Sequence, residues 1–105
     1  MNSYNKYTDL QINELVATRL KKKCLLTEES VLAYMDSGYR TFDPCNNPSD
    51  AMPIIIENKI AMNPKDNIWQ CGSGFNVAEN KNPLRACMEV FLMMKDSENE
   101  NNNNG

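Results

Sequence analysis

Apolar positions recur at helical spacing in two stretches of the chain. In the first, Ile12, Leu15, Val16 and Leu20 fall on one face. Thr8 precedes them as a cap, and Gln11 stands three residues on, as in a capping box. Arg19 and Lys21 to Lys23 close this helix, where positive charge suits the dipole, so the lysine run needs no ligand to account for it. In the second stretch, Leu84, Cys87, Met88, Phe91 and Leu92 keep the i, i+3, i+4, i+7, i+8 pattern after Asn82-Pro83. Ala86, Val90, Met93 and Met94 add a second apolar face, leaving the i,i+4 pair Arg85 and Glu89 as a narrow polar stripe. A helix this apolar is either sandwiched within the fold or shared with another subunit. Met88, Phe91, Met93 and Met94 are therefore candidate interface residues.

Between these helices the pattern shortens. Ile68 to Cys71 reads as a strand, Gly72-Ser73-Gly74 as a turn and Phe75 to Val77 as the return strand. Residues 31–43 allow two readings. One is a helix from Thr27-Glu28-Glu29 to a stop at Gly38; the other is a hairpin, Val31 to Met35 and Tyr39 to Phe42 about Asp36-Ser37-Gly38. A third helix lies in Ala51 to Ile60 and ends at Asn63-Pro64. Pro53 would break a backbone bond deep in a helix, so the regular start is expected at Asp50, with Asn47-Pro48 in a preceding turn; otherwise the helix kinks at Pro53.

The two halves overlay weakly. Asn47-Pro48-Ser49-Asp50-Ala51 matches Asn82-Pro83-Leu84-Arg85-Ala86, and Gly38 matches Gly74. This tips residues 31–42 toward the hairpin. The expected fold is α+β, in the order α-β-β-α-β-β-α: an antiparallel sheet of two β-hairpins with helices packed on it, an α-β-α sandwich-like arrangement. Residues 1–95 form the single domain, and the polar, Asn-rich segment 96–105 is expected to be a disordered tail.

Composition narrows the function. The chain has 105 residues and a net charge of −3, which argues against a general phosphate-backbone binder. It contains no histidine, which removes His-based triads, His metal sites and the usual general base. Cys24, Cys45, Cys71 and Cys87 are widely spaced, with no C-x-x-C pair, and are expected as free thiols rather than zinc ligands. The start Met1-Asn2-Ser3-Tyr4 has no signal-peptide pattern, and no segment reaches the roughly 18 apolar residues of a membrane span. The expectation is a cytoplasmic protein with no metal, no cofactor and no catalytic residues.

One segment gathers chemistry. Asp43, Cys45, Asn46, Asn47 and Asp50 stand at a helix entrance whose backbone N–H groups would receive an anion. The competing account is that these residues cap and close a turn, which is what such residue types most often do. Cys45 would be reactive only if the helix terminus lowered its pKa, and it has no histidine as base. Trp69 would stack a base or fill a partner's pocket, or simply pack in the core.

Three stretches carry a family resemblance: Tyr7 to Asn13, Phe42 to Ile60, and Lys81 to Met94. Together they resemble the NinX-like family of small proteins from lambdoid phages and enterobacterial prophages. Met52 stands where that family's pattern has tryptophan, and Cys87 where it has alanine. The resemblance implies a phage or prophage origin, expression in a bacterial cytoplasm and an α-β-α layering, and it implies no activity. The expectation is a non-enzymatic accessory protein acting through protein–protein contacts, as a homo-oligomer (dimer) or with a host or phage protein. The alternative is a small-ligand or nucleic-acid-binding accessory factor using the Asn46-Asn47-Pro48 entrance and Lys21 to Lys23.

Overall fold

The computed structural model describes residues 2–103. Its elements run α1 (Asp9–Arg19), β1 (Cys24–Leu26), β2 (Val31–Met35), β3 (Gly38–Thr41), α2 (Pro48–Glu57), β4 (Met62–Lys65), β5 (Ile68–Ser73), β6 (Asn76–Asn80) and α3 (Pro83–Asn103). The fold is α+β. Each expected hairpin carries one strand more, giving two antiparallel three-stranded sheets, β1-β2-β3 and β4-β5-β6.

α1 begins with the capping box expected at Thr8. The Gln11 N–H donates to Thr8 Oγ1 at 3.1 Å, and the Thr8 N–H donates to Gln11 Oε1 at 2.9 Å. α2 departs from expectation. Asn47 is its cap, accepting from the Ser49 N–H at 3.0 Å, and Pro48 is its first residue. Pro53 sits inside the helix, where its ring removes the bond to the Ser49 carbonyl. Ser49 and Pro53 are both exposed, so the freed carbonyl faces water. Asp50 does not cap: its carboxylate accepts from the Asp43 N–H at 2.9 Å and pins the preceding loop.

α1 and α2 stop in the same way. Lys21 (φ +58°) and Lys59 (φ +54°) take the left-handed position just past each helix. The next residue donates back across the last turn, Lys22 to the Ala17 carbonyl and Ile60 to the Ile55 carbonyl, each at 3.0 Å. These are Schellman stops with lysine where glycine is preferred. Lys59→Gly is expected to stabilise the fold by about 0.5–1 kcal/mol, since the left-handed region costs an L-residue about 1–2 kcal/mol and glycine's unfolded freedom returns part of that. The midpoint of urea unfolding would move upward; an unchanged midpoint would mean that Lys59 is unstrained.

α2 therefore ends before Ile60, and Asn63-Pro64 does not terminate it. Pro64 lies within β4, opposite Trp69. β4 is an edge strand, the one place in a sheet where a missing N–H is tolerated. The hairpin loops are Asp36-Ser37, Asp66-Asn67 and Gly74-Phe75, with positive φ at the first residue of each.

The repeat is deeper than the sequence overlay. Each unit is a helix, a Schellman stop and three strands, and the strands superpose at an offset of 38 rather than 35. Cys24 pairs with Ala33 and Ala33 with Arg40; Met62 pairs with Cys71 and Cys71 with Ala78. Gly38 thus corresponds to Asn76, not to Gly74.

α3 is the centre of the molecule, packing against β5, β6, α1 and α2, while the first sheet rests on α1 through β2. Met88 and Phe91 are fully buried within the chain, Met93 nearly so, and Met94 is half-buried against the core. Of the two fates open to this apolar helix, its central stretch takes burial inside its own fold, so Met88, Phe91 and Met93 are core, with Met94 at its margin. α3 continues through Asn103, across most of the segment expected to be a disordered tail. There the Asp96 carboxylate pairs with Arg19 at 2.6 Å and accepts a hydrogen bond from the Tyr4 hydroxyl. Residues 104–105 lie outside the described residues.

Candidate functional site

The Asp43 to Asp50 loop joins all three helices. Asn13 of α1 donates to Asp43 Oδ1 at 2.8 Å and accepts from the Cys45 N–H at 3.1 Å. Asn82, the cap of α3, donates to the Cys45 carbonyl at 2.7 Å and to Asn46 Oδ1 at 3.2 Å. Asn46 in turn donates to Asp43 and to Asp9. Asp43, Cys45, Asn46, Asn47 and Asp50 are thus all brought together, each with a polar atom engaged in closing the loop or capping α2. Trp69 lies on β5 in the second sheet, half-buried against the core.

Beneath the loop is a network that the sequence pattern hid. Arg85 and Glu89 do not form an outer stripe; both are buried, Glu89 completely. The Arg85 guanidinium donates to Glu89 at 2.6 Å, to Asp9 at 2.7 Å, and to the carbonyls of Tyr4 and Tyr7 at 3.1 and 2.7 Å. Asn2 donates to the other Glu89 oxygen at 2.5 Å. Every contact of Arg85 except the i,i+4 bond comes from the first nine residues. The one clue in the sequence was that a helix apolar almost all round has no outer face for its polar pair.

The thiols are shielded. Cys45 has no exposed surface; burial, and then the nearby Asp9 carboxylate, push its thiol far above the ordinary value. Cys71 and Cys87 meet where β5 packs on α3, and the hydrogen bond between them, together with burial, raises the Cys87 thiol. Cys24 alone among the four is partly exposed. Iodoacetamide at neutral pH is expected to label Cys24 in the native protein and to label Cys45 no faster than a model thiol; rapid native labelling of Cys45 would restore it as a nucleophile. Among the described residues no group of three or more His, Cys, Asp or Glu side chains is placed to hold a metal ion. Nor is any helix there long and apolar enough to cross a membrane.

Two surface features remain. An open groove of about 660 Å³ runs between the first sheet and α2, with Lys22 and Arg40 on one wall and Asp50 and Glu57 on the other. Its mixed charge favours no single ligand class. The second feature is the outward face of the first sheet. Val31 and Ala33 point inward, so Leu32 and Tyr34 point outward. The pairing adds Leu25 and Thr41 beside Leu32, and Tyr39 beside Tyr34. Leu25 is 51% exposed, Tyr34 47% and Tyr39 37%. The two tyrosine rings meet edge to face at 5.2 Å, and Lys23 Nζ lies 5.8 Å from the Tyr34 ring. In the second sheet the row equivalent to Leu25–Leu32–Thr41 is Asn63–Gln70–Glu79. That row is polar and self-satisfied, with Gln70 and Lys65 both donating to Glu79 at 3.1 and 2.9 Å. Composition gave no sign of this difference, because residues 31–42 alone did not decide between helix and hairpin.

No curated protein matches the chain. A family model described as Bacteriophage P22, NinX matches residues 3–95, a span that holds all six strands, the Asp43 to Asp50 segment and Arg85 with the groups it donates to. This chain belongs to the phage NinX family.

Proposed function

We propose that this is a non-enzymatic phage accessory protein, working in the bacterial cytoplasm by docking on protein through the outward face of its first sheet. The observation that carries the proposal is the contrast between two equivalent rows: Asn63–Gln70–Glu79 is solvated and internally bonded, while in Leu25–Leu32–Thr41 two aliphatic side chains lie beside two exposed tyrosines. Exposed aromatics flanked by aliphatics are the anchors from which protein interfaces draw most of their energy. The lack of histidine and the structural use of every loop carboxylate support a role without chemistry.

The test compares the wild-type protein with Leu25→Glu/Tyr34→Glu, each tagged and expressed in phage-infected cells. Both substitutions are at exposed positions and leave the core untouched. Proteins retained by the wild type and lost by the variant support the reading. Identical sets from both would sink it.

A second reading has one observation of its own. Lys23 over Tyr34, beside Tyr39, resembles the pairing of cation and aromatic that stacks single-stranded nucleic acid. It predicts quenching of tyrosine fluorescence by single-stranded DNA, relieved by salt and lost in Lys23→Glu. No quenching at low salt removes it.

A further inference from the structure

Resting on that reading of the first sheet, we propose that the partner on this face is a second copy of the chain, stacked sheet on sheet about a two-fold axis. The face is self-complementary in charge. The outward residues form two rows across the strands: Lys23, Tyr34 and Tyr39 in one, and Leu25, Leu32 and Thr41 in the other. Lys23 stands at the start of β1. The exposed Glu28 and Glu29 stand at its far end, in the loop that Thr27 closes by accepting from the Ser30 N–H.

A two-fold axis in the plane of contact and across the strands reverses strand direction and keeps strand order. It lays β1 on β1, β2 on β2 and β3 on β3. Leu25 then meets Leu25 of the other copy, Leu32 meets Leu32, and Lys23 of each copy, with Tyr34 beside it, faces Glu28 and Glu29 of the other. Isologous contacts have this property: one patch supplies both halves of every pair. Sheets packed face to face with nearly aligned strands are a standard solution to an apolar sheet face. The second sheet cannot do the same, since its corresponding row is already satisfied by Lys65, Gln70 and Glu79.

The face offers only four large side chains, fewer than the 20–30 residues a side of a standard interface. The dimer is therefore weak, with dissociation in the micromolar range or above.

Sedimentation equilibrium of the full chain, from about 1 to 500 µM to bracket that range, is expected to show a reversible monomer–dimer equilibrium that weakens with salt. Tyr34→Glu is expected to weaken it at least tenfold. Reversal of the charges on one end, Glu28→Lys/Glu29→Lys, is expected to weaken it too, and adding Lys23→Glu to that variant is expected to restore it. The loop positions are exposed, so this swap tests the pairing without disturbing the core. A strict monomer throughout overturns the proposal, as does a dimer indifferent to Tyr34→Glu or to the charge swap. A strict monomer whose protein partners in infected cells still depend on Leu25 and Tyr34 would overturn self-association alone and leave the docking role intact.

Discussion

Arg85→Met is expected to cost about 3–5 kcal/mol of folding stability, the usual consequence of leaving a buried charge without its partner. Glu89 has no exposed surface and takes its two close contacts from Arg85 and Asn2. With the guanidinium gone, its carboxylate stays buried beside a neutral thioether. The same change removes the guanidinium bonds to the Tyr4 and Tyr7 carbonyls and loosens the segment before α1. A domain of this size has about 5–15 kcal/mol in total, so the variant should unfold at a much lower urea concentration. The double variant Arg85→Met/Glu89→Met is expected to regain more than half of the loss, because the buried charge is then absent. Full recovery is not expected, since the guanidinium bonds to the Tyr4 and Tyr7 carbonyls and the Asn2–Glu89 bond stay lost. A single-variant loss below about 1 kcal/mol would show that the network contributes no more than a surface pair.

Gly72→Ala is expected to be comparably damaging for a different reason. Gly72 has φ +89°, and a Cβ there would lie 2.0 Å from the Asn76 carbonyl oxygen and 3.0 Å from Val90 of α3. The backbone strain costs about 1–2 kcal/mol and forced displacement in a packed region about 1–3, so a loss of about 2–5 kcal/mol follows. Gly74 is the control. It also has a positive φ, at +62°, but a Cβ there meets nothing within 4 Å, so Gly74→Ala should show the backbone part alone. Thermal or urea unfolding of the two variants decides the matter. Equal losses would mean that the close approach of β6 and α3 to Gly72 is not what holds it as glycine.

What could be read from the residues was local. Thr8 and Gln11 stand three apart, and their capping box formed as expected. Asn82 caps α3 and Pro83 opens it, because both roles are decided within one turn. The hairpin at 31–41 emerged once the repeat was weighed, and the repeat was real. Its offset drifted because six residues (42–47) separate β3 from α2, while only two (81–82) separate β6 from α3. β1 leaves no mark in the sequence because three residues cannot show a period, and β4 leaves none because Pro64 signals a break unless the strand is known to be an edge. Pro53 pushed the start of α2 too late, since nothing local says that the carbonyl it frees faces solvent. Arg85 and Glu89 read locally as a polar stripe, and charged residues are usually exposed; only the distant N-terminal segment, folding over α3, makes their burial tolerable. Of the candidate site, the Asp43 to Asp50 cluster assembled as a unit. Its occupation by structural hydrogen bonds depended on Asn13 and Asn82, far away in the chain.

The unequal support of the two sheets makes the molecule thermodynamically uneven. β5 and β6 lie directly on α3, which is buried from Arg85 to Met93, so they share the stability of the whole. The first sheet leans on α1, mainly through β2. Such a peripheral element opens through fluctuations that cost less than global unfolding. The half of the repeat with the apolar outward face is thus also the half freest to breathe, and any contact made there is formed by the more compliant part of the molecule.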